Sequence, residues 1–201
     1  MRKRFVFLLS LLLFSCVVSA QGTVKEWKAI DNSFYSITIP ADWVPFPPGE
    51  GDGIHPKERD GGPYHLCYLG WVSALNEMGG NAGPMLFIEG ARRLDGKPLS
   101  IQTIDAEKMR ANEPPLSRHA VRTELKGKPG QVRYQVAKET QMISVASGVS
   151  WYQCREFVLL QKGGEIVYWL KLIVGEQYYQ SHPEFPRVIE KVLDSFVPKG
   201  N

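Results

Sequence analysis

Two long apolar segments joined by a pair of glycines constrain the fold of this chain more than any other feature. Residues 151–161 and 165–174 are rich in aromatic and aliphatic side chains, and Gly163 and Gly164 lie between them. Such a pair favours a tight β-hairpin. The second segment is apolar on both faces, with Ile166, Tyr168, Leu170, Leu172 and Val174 on one and Val167, Trp169 and Ile173 on the other. We therefore expect a central strand whose sheet is covered on both sides.

Shorter segments in which apolar and polar residues alternate predict the remaining strands. In residues 35–40, Tyr35, Ile37 and Ile39 share one face. Similar patterns predict strands at residues 25–30, 65–74, 85–90, 120–125 and 132–136. In the last of these, Arg133 and Gln135 are expected to point away from the core.

Two helices complete the predicted fold. Ser100 is a suitable N-cap for a helix that runs to about Asn112 and ends before Pro114. A second helix follows Pro183, with apolar residues at helical spacing: Phe185, Ile189, Val192, Leu193 and Phe196. The sequence thus predicts one α+β domain over residues 21–201, with a mostly antiparallel sheet of seven to eight strands sandwiched between helices.

The amino terminus has the order of segments found in secretory signal peptides. Arg2, Lys3 and Arg4 precede an apolar stretch over residues 5–18, and small residues lead up to Ala20. We expect residues 1–20 to be a signal peptide that is cleaved after Ala20, which gives an exported periplasmic or secreted protein. The stretch is too short for a transmembrane helix.

Cys16 leaves a second processing route open. Residues 13–16 resemble a loose lipobox, in which Cys16 becomes the acylated first residue of a lipoprotein anchored in the envelope. The better small-residue match at Ala20 favours the soluble product. Only the lipidated form would be held at a membrane.

The balance of charge argues against nucleic acid as a partner. Residues 1–20 hold three of the 24 basic residues and none of the 21 acidic ones, so the remaining chain carries 21 of each. The positive net charge therefore belongs to the targeting segment, and the domain itself has no dense basic stripe.

Two cysteines remain after residue 20, namely Cys67 and Cys154, both in strand-like surroundings. In an oxidising compartment they form a candidate disulfide that would close a long loop. Two separate buried thiols are an equally good interpretation, because the sequence does not give their distance.

Residues 45–63 are crowded with proline, glycine and charge, which predicts one long loop. The loop carries Glu50, Asp52, His55, Glu58 and Asp60. These residues lack the order of an EF-hand and the spacing of a zinc site, so we expect a solvated loop without metal. His65, His119 and His182 are isolated in the sequence, and we expect each of them to pack or to form hydrogen bonds. No Walker loop, dinucleotide fingerprint or nucleophile elbow is present, and we expect no cofactor.

Trp43 stands where the predicted strand ends and the long loop begins. A partly exposed tryptophan beside a loop is a common anchor for a protein partner. Together with Asp52, His55 and Asp60, Trp43 is therefore a candidate binding surface. The alternative is that Trp43 fills the open end of the core.

The sequence resembles the PsbP-like superfamily, which includes PsbP, Mog and DcrB-type proteins. The resemblance rests on FYSITIPADWV at residues 34–44 and on the closing VLDSFV at residues 192–197. It implies an antiparallel sheet between helices and roles that are mostly accessory or protein-binding. It implies no site residue, because these motifs mark the scaffold.

These observations support an exported accessory or binding protein of the cell envelope. In this hypothesis, residues 43–63 are presented to an envelope protein or a small envelope ligand. One alternative is a hydrolase whose site is assembled from Asp52, His55, Asp60 and His65. Another is a structural lipoprotein anchored through Cys16.

Overall fold

The computed structural model describes residues 26–45, 57–60, 64–73, 83–93, 95–110, 112, 114–115, 117–144 and 148–199. Within these ranges the strands are β1 (Trp27–Asp31), β2 (Tyr35–Pro40), β3 (Trp43–Pro45), β4 (Lys57–Asp60), β5 (Tyr64–Ser73), β6 (Met85–Arg93), β7 (Ser117–Glu124), β8 (Gln131–Ser144), β9 (Gly148–Gly163), β10 (Ile166–Gly175) and β11 (Val197–Pro198). The helices are α1 (Ile101–Arg110), α2 (Glu176–Ser181) and α3 (Phe185–Ser195).

The strands form two antiparallel sheets. The larger has eight strands in the order β3-β5-β6-β10-β9-β8-β7, with β4 paired to β5, and the smaller has the order β1-β2-β11. The α+β class is confirmed, whereas the prediction of a single sheet is wrong. Alternation in the sequence identified β1 and β2 as strands, but it contains no information on which strands pair with them.

β10 lies at the centre of the larger sheet and both of its faces are buried, as its pattern predicted. On one face, Tyr168, Leu170 and Leu172 join a core with the smaller sheet and α3. On the other face, Val167 and Trp169 join a second core under α1. The hairpin from β9 to β10 turns at Gly164, whose φ of 57° is in the left-handed region.

Gly163 is also constrained by its surroundings. A Cβ atom at this position would lie 2.5 Å from Cβ of Pro198 in β11 and 3.2 Å from the Tyr168 ring. The absence of a side chain therefore lets the last strand of the smaller sheet cross the end of the β9–β10 hairpin.

The helices begin largely where the sequence indicates. The Ser100 hydroxyl accepts a hydrogen bond from the Thr103 amide at 3.1 Å, which caps α1. α3 buries its apolar face against β2 and the larger sheet. α2 was not predicted. It is a six-residue helix directly after β10, without the long apolar periodicity that identifies a helix in a sequence.

Two further expectations need correction. Residues 45–63 do not form one continuous loop, because Lys57–Asp60 form β4 and pair with β5. Arg133 does not point to solvent: only 8% of it is exposed, and its guanidinium forms an ion pair with Asp194 of α3 at 2.7 Å.

Within the described residues, none of the helices has the length and hydrophobicity required to cross a bilayer.

Candidate functional site

A groove of about 300 Å³ lies on the α2 side of the larger sheet, near its β7 edge. Its sides are β7 and α2, and β8 and β9 form its floor. The lining residues that define it are His119, Val121, Ala137, Glu139, Gln153, Arg155, Glu176 and Gln180. We refer to this set as the β7–α2 groove.

A β-bulge shapes the outer wall of the groove. The pairing of β7 with β8 shifts register between Arg118 and Val121, and His119 within the bulge has a φ of 55°. A bulge breaks the regular alternation of a strand and redirects its side chains. This local distortion places exposed His119 and Val121 on the rim of the groove.

The charged residues of the groove form pairs. Nε of Arg118 donates to Glu139 at 2.5 Å, and Arg155 binds Glu176 through two hydrogen bonds of 2.5 and 2.6 Å. Gln180 donates a further hydrogen bond to Glu176 at 2.9 Å. These arginines lower the pKa of both carboxyl groups, so Glu139 and Glu176 are ionised at neutral pH.

Aromatic contacts fix the inner wall. The Arg155 guanidinium lies 4.5 Å from the centroid of the Tyr179 ring, and Tyr179 stacks on Phe157 at 5.7 Å. α2 is therefore held against β9 by a series of side-chain contacts, which runs from Phe157 through Tyr179 and Arg155 to Glu176. α2, the inner wall of the groove, is therefore fixed to the sheet, whereas β7, the outer wall, lies at the edge of the described sheet.

Lys138 and Cys154 also border the groove, but alternation along β8 and β9 places their side chains on the opposite face of the sheet. Burial raises the pKa of the Cys154 thiol to about 12, with the Glu156 carboxylate adding to the shift. The thiol form is therefore dominant at neutral pH, which is unfavourable for a nucleophile.

That opposite face holds a second group of charged residues next to α1. Lys138 and Glu156, both almost fully buried, form an ion pair at 2.8 Å, and Lys108 binds Glu89 at 2.5 Å. Lys171 lies 4.0 Å from Glu156, and burial lowers the pKa of its ammonium group. These five residues form an ionic cluster of three lysines and two glutamates, in which each carboxylate has at least one ammonium partner.

The structure changes the interpretation of Trp43. Only 3% of this residue is exposed, and it packs in the core beneath the smaller sheet. The alternative in which Trp43 fills the end of the core is therefore correct, and the proposed role as an exposed anchor is wrong. The sequence could not decide this, because both positions favour a tryptophan at the end of a strand.

The other predicted site residues fall into two groups. Asp52 and His55 lie outside the described residues, as does Cys16. Asp60 lies in β4, and its Cα partner across the strand pair is His65 of β5. Within the described ranges, no three His, Cys, Asp or Glu side chains are arranged to hold a metal ion.

The candidate disulfide does not form in this structure. Cys154 is a buried free thiol. The strand order β5-β6-β10-β9 separates Cys67 from Cys154 by three strand spacings, about 14 Å sideways alone. A disulfide requires Cα atoms within about 7 Å.

His182 packs and forms a hydrogen bond, as expected for an isolated histidine. His182 stacks on the Tyr178 ring with 3.9 Å between centroids, and its Nδ1 lies 2.9 Å from the Tyr178 carbonyl. His119 is exposed at the bulge.

The sequence patterns did not predict the β7–α2 groove, because its residues come from four separate elements. In the sequence, only the loss of alternation before Val121 marks this groove.

No family model matches this sequence, and no curated protein is similar to it by sequence. Solved structures are similar in fold. A single-residue mutant of the protein Mog1 superposes with a TM-score of 0.50 at 9% identity, over 88% of this chain and 97% of that chain. The Ran-binding protein Mog1p of Saccharomyces cerevisiae gives 0.48 at 9% identity, over 87% and 96% of the two chains. Cyanobacterial PsbP of Synechocystis sp. PCC 6803 gives 0.45 at 12%, over 92% and 98%. The Mog1 mutant thus confirms the expected resemblance at the level of the fold.

Proposed function

We propose that this chain is an exported accessory protein of the cell envelope that binds a polar segment of another protein in the β7–α2 groove. The observation that carries the proposal is the lining of the groove. The Arg155–Glu176 pair, Glu139 and two glutamine side chains surround a small apolar strip, and Arg118 pairs with Glu139 from beside the groove. Pockets for small molecules instead enclose most of the ligand surface, whereas this groove is open to solvent.

The electrostatics of the groove suit recognition. Glu139 and Glu176 are held ionised by Arg118 and Arg155, so at neutral pH they accept hydrogen bonds and do not supply protons. A partner segment that carries both donors and acceptors finds a complementary group on each wall. Because α2 is fastened to β9, little conformational entropy is lost when a partner binds.

The surface that we propose differs from residues 43–63, which the sequence suggested. Trp43 is buried, and of the other predicted contact residues only Asp60 lies in a described element. The groove gathers exposed polar residues on a rigid sheet, which is the better platform for a contact.

Photo-crosslinking in living cells tests the groove. A photoreactive amino acid is placed at Gln153 or Gln180 in the groove, or at Gln102, which is exposed on α1, as a matched control. We expect adducts of one common mass from both groove positions and not from Gln102. Ala137→Arg fills the floor of the groove and should abolish them. Identical adducts at all three positions, or adducts that persist with Ala137→Arg, would contradict the proposal.

Export is proposed from the charged, apolar and small segments of residues 1–20. Mass spectrometry of the mature protein checks it: a chain beginning at Gln21 is the expected product. A chain beginning at Cys16 with attached acyl groups identifies the lipoprotein alternative. An intact Met1 on protein from the cytoplasm would refute export.

A further inference from the structure

β7 lies at one edge of the larger sheet in the part of the chain that the structure describes. Within the described parts of the chain it pairs with β8 and with no other strand. Its regular pairing covers Val121–Glu124, after the bulge. Val121 and Leu125 next to it are 62% and 38% exposed, and both count among the exposed large hydrophobic residues of the described chain.

The hydrogen bonds show which backbone groups of β7 face outward. The Leu125 amide donates to the Arg133 carbonyl of β8 at 2.9 Å. In an antiparallel ladder, alternate residues make these bonds, so Val121 and Thr123 also face β8. The N–H and C=O groups of Arg122 and Glu124 therefore point away from the sheet.

We propose that β7 pairs antiparallel with β7 of a second copy of this chain, about a two-fold axis at Thr123. In this register, the outward-facing Arg122 of one copy is opposite the outward-facing Glu124 of the other, and the reverse pair is formed as well. Val121 is opposite Leu125 of the second copy. The edge is thus complementary to itself in hydrogen bonding, in charge and in apolar contact.

On both faces of the sheet, the proposed pairing is compatible with the side-chain contacts that β7 makes within its own copy. Arg122 already binds Asp105 of α1 at 2.8 and 3.0 Å and Glu124 at 2.6 Å. The side chain of Glu124 is 66% exposed and can approach the second copy. On the other face, Leu125 of the second copy extends the apolar rim that Val121 provides to the β7–α2 groove.

The bulge at His119 limits the contact to about five residues in each copy. Such an interface is smaller than the roughly 1,600 Å² of a standard stable complex. The dimer is therefore expected to depend on concentration, with monomer at low concentration. This inference does not rest on the proposed function of the groove.

Cysteine crosslinking tests the register. Thr123 lies opposite Thr123 of the second copy in a pair without backbone hydrogen bonds, with Cα atoms about 4.5 Å apart, which suits a disulfide. Lys126 is also exposed, but in this register it lies about 20 Å from Lys126 of the second copy, at 3.3 Å per residue. The Thr123→Cys protein should form a disulfide dimer under mild oxidation. Lys126→Cys and the wild type should not.

Charge reversal tests the contact without an added thiol. Glu124→Arg places arginine opposite Arg122 at both pairs and should leave the protein monomeric in sedimentation velocity at concentrations where the wild type dimerises. Glu165→Arg, in the exposed hairpin turn, is the matched control and should dimerise. A monomeric wild type at all concentrations, equal crosslinking at positions 123 and 126, or a Glu124→Arg dimer would overturn the proposal. None of these readouts depends on the envelope adducts of the groove.

Discussion

Arg155 and Glu176 form a bidentate ion pair that joins β9 to the first turn of α2. The two hydrogen bonds measure 2.5 and 2.6 Å, and both side chains are largely buried. The pair connects the floor of the β7–α2 groove to its inner wall. It therefore contributes both to the stability of the domain and to the shape of the groove.

Glu176→Gln should lower the free energy of unfolding by about 1 kcal/mol at pH 7, since a charged hydrogen bond becomes a neutral one. The pKa of Glu176 is lower in the folded state than in the unfolded chain. The stabilisation provided by the Glu176 carboxylate is therefore complete above the pKa of Glu176 in the unfolded chain. It disappears as the pH falls through the pKa of Glu176 in the folded protein. Urea denaturation at neutral and acid pH measures the loss. Exposed Glu190→Gln serves as control, and a deficit that stays constant at acid pH would contradict the mechanism.

Gly163→Ala should destabilise the domain by about 1–3 kcal/mol, because the new Cβ would lie 2.5 Å from Pro198 and force β11 aside. Gly127→Ala is a suitable control, since the nearest atoms to its new Cβ are at 3.5 Å. Thermal unfolding of both variants tests the prediction. If the two have equal stability, β11 does not cross the hairpin as closely as the structure shows.

Glu156→Gln should be among the more damaging single substitutions, with a cost of about 3 kcal/mol. It removes the partner of Lys138, which is 6% exposed, and leaves that ammonium charge buried. The double variant Glu156→Gln with Lys138→Met should recover part of the loss, because it removes the stranded charge. Urea titration of the wild type and the two variants measures this recovery, and a double variant less stable than Glu156→Gln would argue against a charge effect.

Cys154 should resist alkylation while the protein is folded. Its thiol is buried and has a pKa raised to about 12, so little thiolate is present at a mildly alkaline pH. Mass spectrometry of the peptide containing Cys154, after iodoacetamide treatment with and without urea, should show modification only in urea. Rapid labelling of the native protein, or a Cys67–Cys154 crosslinked peptide, would contradict the structure.

The parts of the fold that depend on local pattern could be predicted from the sequence. The hairpin at Gly164 and the two apolar faces of β10 follow from residues adjacent in the chain, and Ser100 identifies the start of α1. Features that depend on distant partners could not. Arg133 has a polar side chain in an alternating strand, and only its ion pair with Asp194, far along the chain, explains its burial.

The candidate site was harder to predict for the same reason. The β7–α2 groove draws its residues from β7, β8, β9 and α2, which are separated by many residues in the sequence. A tryptophan beside a predicted loop is typical of a contact with a protein partner, but Trp43 is buried in the hydrophobic core. Patterns in a sequence show which residues are apolar, and they do not show which apolar residues the core uses.

The smaller sheet joins the two ends of the domain. β1 and β2 come first in the folded body, whereas β11 comes last, and the Lys199 amide donates to the Phe34 carbonyl at 2.7 Å. During synthesis, β2 gains its second neighbour only after the strands and helices between β2 and β11 have been made. Of the two sheets, the smaller is therefore the last to have all of its strands available for pairing.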